Sequence, residues 1–386
     1  MNRVYLDYAA SAPLSPEAQE VIEQFLNRKA WGNPSSLHAE GRSMQALLDK
    51  AHTTVAAVFG FDPTDVIFTS GATESNNLII RGVLQAWHKE PENAGAKPHV
   101  VLTAIEHPSW RQTVNPEDTD ITIVPVSSDG VVDAEAMLAA ITPHTALVGC
   151  MYVNNEIGTV QPVATIGKGV EAWREQHHST WPIFHVDAVQ AFPYLNTHKG
   201  HLHADSVTIS GHKYGALGGS GALLVSKHVP LEMQQRGGAQ EWGKRAGTEN
   251  VLGALTLAEV VEYGDAHRDD LTQHAQTLQH QLDERLAQEH PDIRIIGQSA
   301  ERSPHITYLW LPQVTDEHFV HKLDLAGFAV SSGSACSSGA LLPSVTLLAL
   351  GMTPAEAYGG VRISYGRGTT ADDIDQFCDA LASLLS

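Results

Sequence analysis

Basic residues are scarce in this chain: 24 Lys and Arg stand against 44 Asp and Glu, a formal charge of −20 with His neutral. Nucleic-acid binding is therefore not expected, because a phosphate backbone calls for clustered Lys and Arg. Cysteine is scarcer, at 3 in 386 residues, too few for a disulfide framework and pointing to a reducing compartment. No apolar run reaches the roughly 18–20 residues that cross a bilayer, and Met1–Asp7 has no signal-peptide apolar stretch. We expect a cytoplasmic protein with no membrane association. Metal-binding spacings are missing as well: His177-His178 and His201-Leu202-His203 stand without an HExxH or CxxC pattern, so no metal site is expected. Hydrophobic residues make up 42%, which suits a globular chain, and about 150 residues per domain suggests at least two domains.

Short apolar runs alternate with helical spacing through the first two thirds. Asp65–Thr69, Val100–Thr103, Ile121–Val126, Ala146–Val153, Ile183–Asp187 and Asp205–Ile209 read as buried strands bounded by turns. Glu74–Trp87 has helix-like apolar spacing, and Val251 to Gln288, with no proline until Pro291, reads as one or two long helices. This order predicts a doubly wound α/β layer, in which ligands bind beyond the carboxyl ends of the strands.

Several residues at those ends could carry chemistry. Lys213, in Ser210-Gly211-His212-Lys213, precedes a glycine-rich passage where an amine can approach a cofactor closely, as Schiff-base chemistry requires. Asp187 lies 26 residues earlier at the end of a strand, placed to pair with a protonated ring nitrogen, and Gln190 could donate to a ring oxygen. Ser70-Gly71-Ala72-Thr73 joins a strand to a helix and offers free amides to an anion. His107 could lie flat on a planar group. Each has an ordinary reading beside it: a solvated lysine, an aspartate capping a turn, a plain helix start, a packed histidine. Arg362 sits inside a strand-like run and needs either a substrate carboxylate or an internal acid as partner. Among the cysteines, Cys150 falls in an apolar run and is expected to be buried, and Cys378 falls in a helical segment and is expected to be half buried. Cys336 is flanked by Ser, Gly and Ala, and is expected in a mobile, exposed loop.

Taken together and in order, these segments resemble the class V family of fold-type I pyridoxal-phosphate enzymes, and within it the cysteine desulfurases. The matching motifs include Tyr5-Leu6-Asp7-Tyr8-Ala9-Ala10, Gly32-Asn33-Pro34, Thr69 to Asn77, Glu106-His107-Pro108, Asn154-Asn155-Glu156, His185 to Gln190, Ser210 to Lys213, Arg245 to Asn250, Ser331 to Ser338 and Val361 to Ser364. The resemblance implies a large α/β domain with a mainly parallel seven-stranded sheet over 16–255. A smaller α/β domain, formed by 1–15 with 256–386, would carry Cys336 and Arg362.

The resemblance also implies roles. Lys213 would hold pyridoxal 5'-phosphate and act as acid and base, Asp187 would pair with its ring nitrogen, Gln190 and Asn155 would lie near its phenolate oxygen, and His107 would stack on it. Ala72, Thr73, Ser210 and His212 would hold the phosphate, with Thr248 reaching in from the second subunit of a homodimer. Arg362, helped by Asn33, would bind the carboxylate of L-cysteine. Cys336 would take the sulfur as a persulfide, leaving L-alanine, and pass it to an acceptor protein for iron–sulfur-cluster, thio-cofactor or tRNA synthesis. Either His107 or Lys213 would deprotonate Cys336. A selenocysteine lyase, or another class V lyase or aminotransferase, is the alternative, and there Cys336 would be dispensable. Trp242 stands where relatives commonly carry Arg, and Tyr358 where many have His. The chain also ends soon after Cys378, without the extra stretch some relatives use to bind a scaffold, so the acceptor is left unassigned.

Overall fold

The computed structural model describes residues 3–28, 31–314, 318–332 and 343–385. In chain order the strands are β1 (Val4–Tyr5), β2 (Val66–Thr69), β3 (His99–Thr103), β4 (Asp120–Val124), β5 (Thr145–Met151), β6 (Ile183–Asp187), β7 (Ser206–Ser210), β8 (Gly221–Val225), β9 (Arg294–Ile295), β10 (Ile306–Trp310), β11 (Phe328–Ala329) and β12 (Gly360–Ser364). Seven of them form the main sheet in the order β2-β8-β7-β6-β5-β3-β4. Every pairing is parallel except the two made by β8, which runs against both β2 and β7.

Side chains alternate along these strands between two cores. Val101, Val148, Phe184 and Val186 pack into one apolar cluster, with Val55 and Phe59 of the helix Ala39–Phe59 and Leu257 and Val261 of the helix Val251–Ala266. Val100, Leu102, Leu147 and Ile183 pack into the other, against Ile79, Val83 and Trp87 of the helix Ala72–Lys89. Helices on both faces explain why these strands read as nearly continuous apolar runs.

A second, antiparallel sheet runs β12-β10-β9, and β1 pairs with β11 in parallel. A third core fills this region, with Leu278, Leu282, Leu309, Ile363, Phe377 and Leu381. The N-terminal segment is thus tied to the C-terminal part of the chain, and isolated bridges join Asp7 to Ser364 and Ser331 to Arg362. The long helical stretch breaks at His267 into Val251–Ala266 and Arg268–Glu289.

The chain reverses its direction of travel across the main sheet between β3 and β5: β4 lies outside β3, whereas β5, β6 and β7 follow one another the other way. Such a reversal opens a crevice at the carboxyl ends of the strands.

Candidate active site

That crevice is a cavity of about 830 Å³. The loops after β2, β3, β5, β6 and β7 all reach it, and the N-terminal stretch Ala9–Ala12 and Arg362 of β12 close it. Of the residues expected from the sequence, Ala72, Thr73, His107, Asn155, Asp187, Gln190, Ser210, His212, Lys213 and Arg362 line it together. Asn33 and Thr248 are exposed and are not among its lining residues. Cys336 and the loop expected to carry it lie outside the described residues.

Lys213 stands in a single helical turn directly after β7. Its Nζ donates to the carbonyl oxygens of Ala9 and Ala10 at 2.6 and 2.8 Å. Asp187, the last residue of β6, is buried: Oδ1 accepts from the Val189 amide at 3.1 Å, and Oδ2 from Asn76 Nδ2 at 2.9 Å. The turn-capping role open to it in the sequence is therefore filled by one oxygen, and the other faces the site network. Gln190 donates from Nε2 to Ala9 O at 2.9 Å, leaving its second amide hydrogen for a ring oxygen. Its Oε1 lies 3.3 Å from Nε2 of His305, a buried ring stacked on Tyr194 with centroids 4.2 Å apart. Burial lowers the His305 pKa to about 3, so this ring is a neutral support for Gln190.

Arg362 has the internal acid that its sequence position allowed. Nη2 pairs with Asp7 Oδ1 at 2.7 Å and Nη1 donates to Asn155 O at 2.9 Å, so an internal acid holds the fork while the side chain still lines the cavity. Its backbone exchanges hydrogen bonds with Ser331, fixing the start of the segment that leads to Cys336. At that segment's far end, Ser344 and Thr346 donate to the buried carboxyl of Glu156, next to Asn155.

Opposite Lys213, the helix Ala72–Lys89 begins with Gly71 as its N-cap and no side chain capping its first amides. Gly71 takes φ +147°, and Gly221 packs against it so closely that a Cβ there would stand 2.6 Å from Gly71 Cα. Backbone therefore meets backbone, leaving a cradle of amides and the Ser210 hydroxyl open to an anion. Burial, with Lys213 acting the same way, brings His212 down to about 4, so it meets that anion as a neutral ring. The His107 pKa is also held below its ordinary value, chiefly by burial; Lys213 adds to this and Asp187 opposes it. Glu106, wholly buried, is pushed up to about 7 by desolvation.

A cradle for a phosphate, a carboxylate at a strand end, an aromatic ring and an amine in one cavity fit a planar, phosphate-bearing aldehyde. Pyridoxal phosphate therefore suits the residues present. The sequence reading missed Asp7, Asn76, Ser109, Glu106 and His305 as contributors. Asp7, Asn76 and Glu106 sit inside the recognised motifs, but only the folded chain shows what they touch. Among the described residues no cluster of three or more His, Cys, Asp or Glu is arranged to hold a metal ion, and no helix is long and apolar enough to cross a membrane.

Comparison with known proteins converges on one family. A putative cysteine desulfurase, IscS 1, of Bacillus subtilis (strain 168) is 37% identical over 380 residues, covering 97% of this chain and 96% of its own. A cysteine desulfurase of Nostoc sp. is 36% identical over 388 residues, covering 100% and 93%. Among solved structures, a NifS-like protein superposes with a TM-score of 0.88 at 29% identity, covering 99% of both chains. SspA in complex with cysteine gives 0.80 at 28% identity, over 95% of this chain and 100% of that one. The aminotransferase class-V family model matches residues 4–377, nearly end to end, and the chain belongs to that family.

Proposed function

We propose that this protein is a cysteine desulfurase. It takes the sulfur of L-cysteine as a persulfide on Cys336 and releases L-alanine. The observation that carries this reading is the convergence of Lys213, Asp187, His107 and the Asp7-held Arg362 on one cavity at the carboxyl edge of the sheet. The likeness to a structure holding cysteine supports the choice of substrate.

Pyridoxal phosphate, when bound, supplies an electron sink joined to the substrate amine. The residues supply the rest. Lys213 anchors the cofactor and moves protons at the substrate. Asp187 would pair with the ring nitrogen and favour its protonated form, and Gln190 and Asn155 would hold the ring's oxygen. His107 would stack on the ring. The Ala72 and Thr73 amides, Ser210 and His212 would hold the phosphate, and the partner subunit's Thr248 would complete that site in a homodimer. Arg362 offers fork hydrogens not used by Asp7 and Asn155 to the substrate carboxylate, with Asn33 assisting. The Cys336 thiolate attacks the substrate sulfur: an S–S bond forms, the C–S bond breaks, and a proton reaches the carbon that becomes the alanine methyl group. No outside oxidant or reductant is needed for that step. A cytoplasmic acceptor protein then receives the sulfur.

We propose a two-domain division, 16–255 around the main sheet and 1–15 with 256–386 as the smaller unit: Val4, Leu6, Leu309 and Leu381 share the third core, whereas Ala9 and Ile306 pack in the large one. The helix crossing the 255/256 join keeps its buried face in the large core, so we place the working junction at its end, His267.

The test is direct. Holoprotein given L-cysteine and a thiol reductant should yield alanine and sulfide in equal amounts, and Cys336→Ser should yield neither at a comparable rate. Equal products from both proteins would remove the persulfide step and favour a selenocysteine-lyase type of reaction.

A further inference from the structure

His107 is tied to Asp187 through two side chains to which the proposed reaction gives no part. Asn76, fully buried in the helix Ala72–Lys89, donates from Nδ2 both to Asp187 Oδ2 and to Ser109 Oγ, each at 2.9 Å. Ser109 Oγ in turn lies 2.8 Å from His107 Nδ1, and the Ser109 backbone amide donates to the same nitrogen at 3.1 Å.

We infer that Asn76 and Ser109 are positioning residues that hold His107 as its Nε2–H tautomer, so that this ring meets the cavity as a proton donor and not as a base. The inference rests on the desulfurase reading only for the use made of the ring.

Each link has one permitted polarity. Flipping the Asn76 amide would set its oxygen 2.9 Å from the Asp187 carboxylate, acceptor against acceptor, so the carboxylate fixes Nδ2 as the donor. Ser109 Oγ then accepts from Asn76, and its single hydroxyl hydrogen is left for His107 Nδ1. A backbone N–H can only donate, so Nδ1 receives two donors and carries no proton. The proton of the neutral ring is on Nε2. Asn76 Oδ1 stays buried without a partner among the described residues, a cost the fold sustains to keep this orientation. The ring's lowered basicity agrees with a neutral form at neutral pH. Since the one basic nitrogen of His107 is occupied by Ser109, the proton of an attacking thiol must go to another group. Lys213 is the amine lining the same cavity. This separates the two acceptors between which the sequence did not choose.

Neutron diffraction from deuterated holoenzyme at neutral pH reads the tautomer without reference to turnover. Deuterium on Nε2 alone is expected; deuterium on Nδ1, or on both nitrogens, would overturn the relay. In solution, Ser109→Ala should lower kcat about tenfold, the worth of roughly one hydrogen bond, with KM for L-cysteine within twofold, and Ser109→Thr should recover most of it. A threonine variant no better than the alanine one would show that the hydroxyl does not position the ring. If wild-type holoprotein made no alanine from cysteine while the proton still sat on Nε2, the desulfurase reading would fail and the relay would stand.

Discussion

Asp7 and Arg362 are separated by 355 positions in sequence and meet at 2.7 Å beside the substrate cavity. The arginine side chain is 3% exposed and the aspartate 20%, so the pair is shielded on the cation's side and partly wet on the other. Arg362 Nε has no partner among the described residues, so Asp7 and the Asn155 carbonyl carry the orientation of the fork. Replacing Asp7 by Ala removes a charge-assisted hydrogen bond worth about 2 kcal/mol. If that energy is spent holding the fork for the substrate carboxylate, KM for L-cysteine rises about thirtyfold, with a smaller fall in kcat. Asp7→Asn keeps an acceptor oxygen at the same place and loses only the charge; its KM should stay within about threefold of wild type. The assay is the initial rate of alanine release against cysteine concentration for all three proteins. An unchanged KM in Asp7→Ala, or equal effects from Ala and Asn, would refute the argument that Asp7 aims Arg362.

Glu106 offers a pH test. Its carboxyl titrates near 7 in the folded chain against about 4.5 when unfolded, so the native state holds a proton that the unfolded state has released within that window. Its stabilising contribution is complete below about 4.5 and fades as pH rises to 7, a change of about 3 kcal/mol. Glu106→Gln, which mimics the protonated acid, should gain stability relative to wild type across that range in urea titrations; a difference independent of pH would contradict this. Gly221→Ala would drive a methyl group to within 2.6 Å of Gly71 Cα and 2.9 Å of Ile209 O, overpacking worth about 1–3 kcal/mol at the phosphate cradle. The variant should lose cofactor absorbance faster on dialysis, and retention equal to wild type would argue against the cradle. Cys150 is fully buried with its thiol pushed well up, and burial raises Cys378 to about 12. Iodoacetamide on the native protein should therefore leave both unlabelled until denaturant is added, which peptide mass spectrometry reads.

The parallel strands were legible because helices cover both faces, and apolar runs such as Ile183–Asp187 then have no other reading. Their carboxyl ends, and with them Asp187, Lys213 and His107, followed from the same pattern. β8 was not legible: it opens at the end of a glycine-rich passage, and its antiparallel course depends on β2 and β7, distant in sequence. The Asp7–Arg362 pair and the Asn76–Ser109 link were hidden for a similar reason. Nothing in the spacing of two polar residues says that the fold will place them 3 Å apart. Asn33 and Thr248 lie off the cavity in the single chain.

The central claim is that sulfur leaves cysteine onto Cys336. Holoprotein mixed with L-cysteine in the absence of any reductant, then digested and weighed, should show one added sulfur atom on the Cys336 peptide and one alanine released per modified chain. Alanine released with every cysteine peptide at its unmodified mass would contradict it.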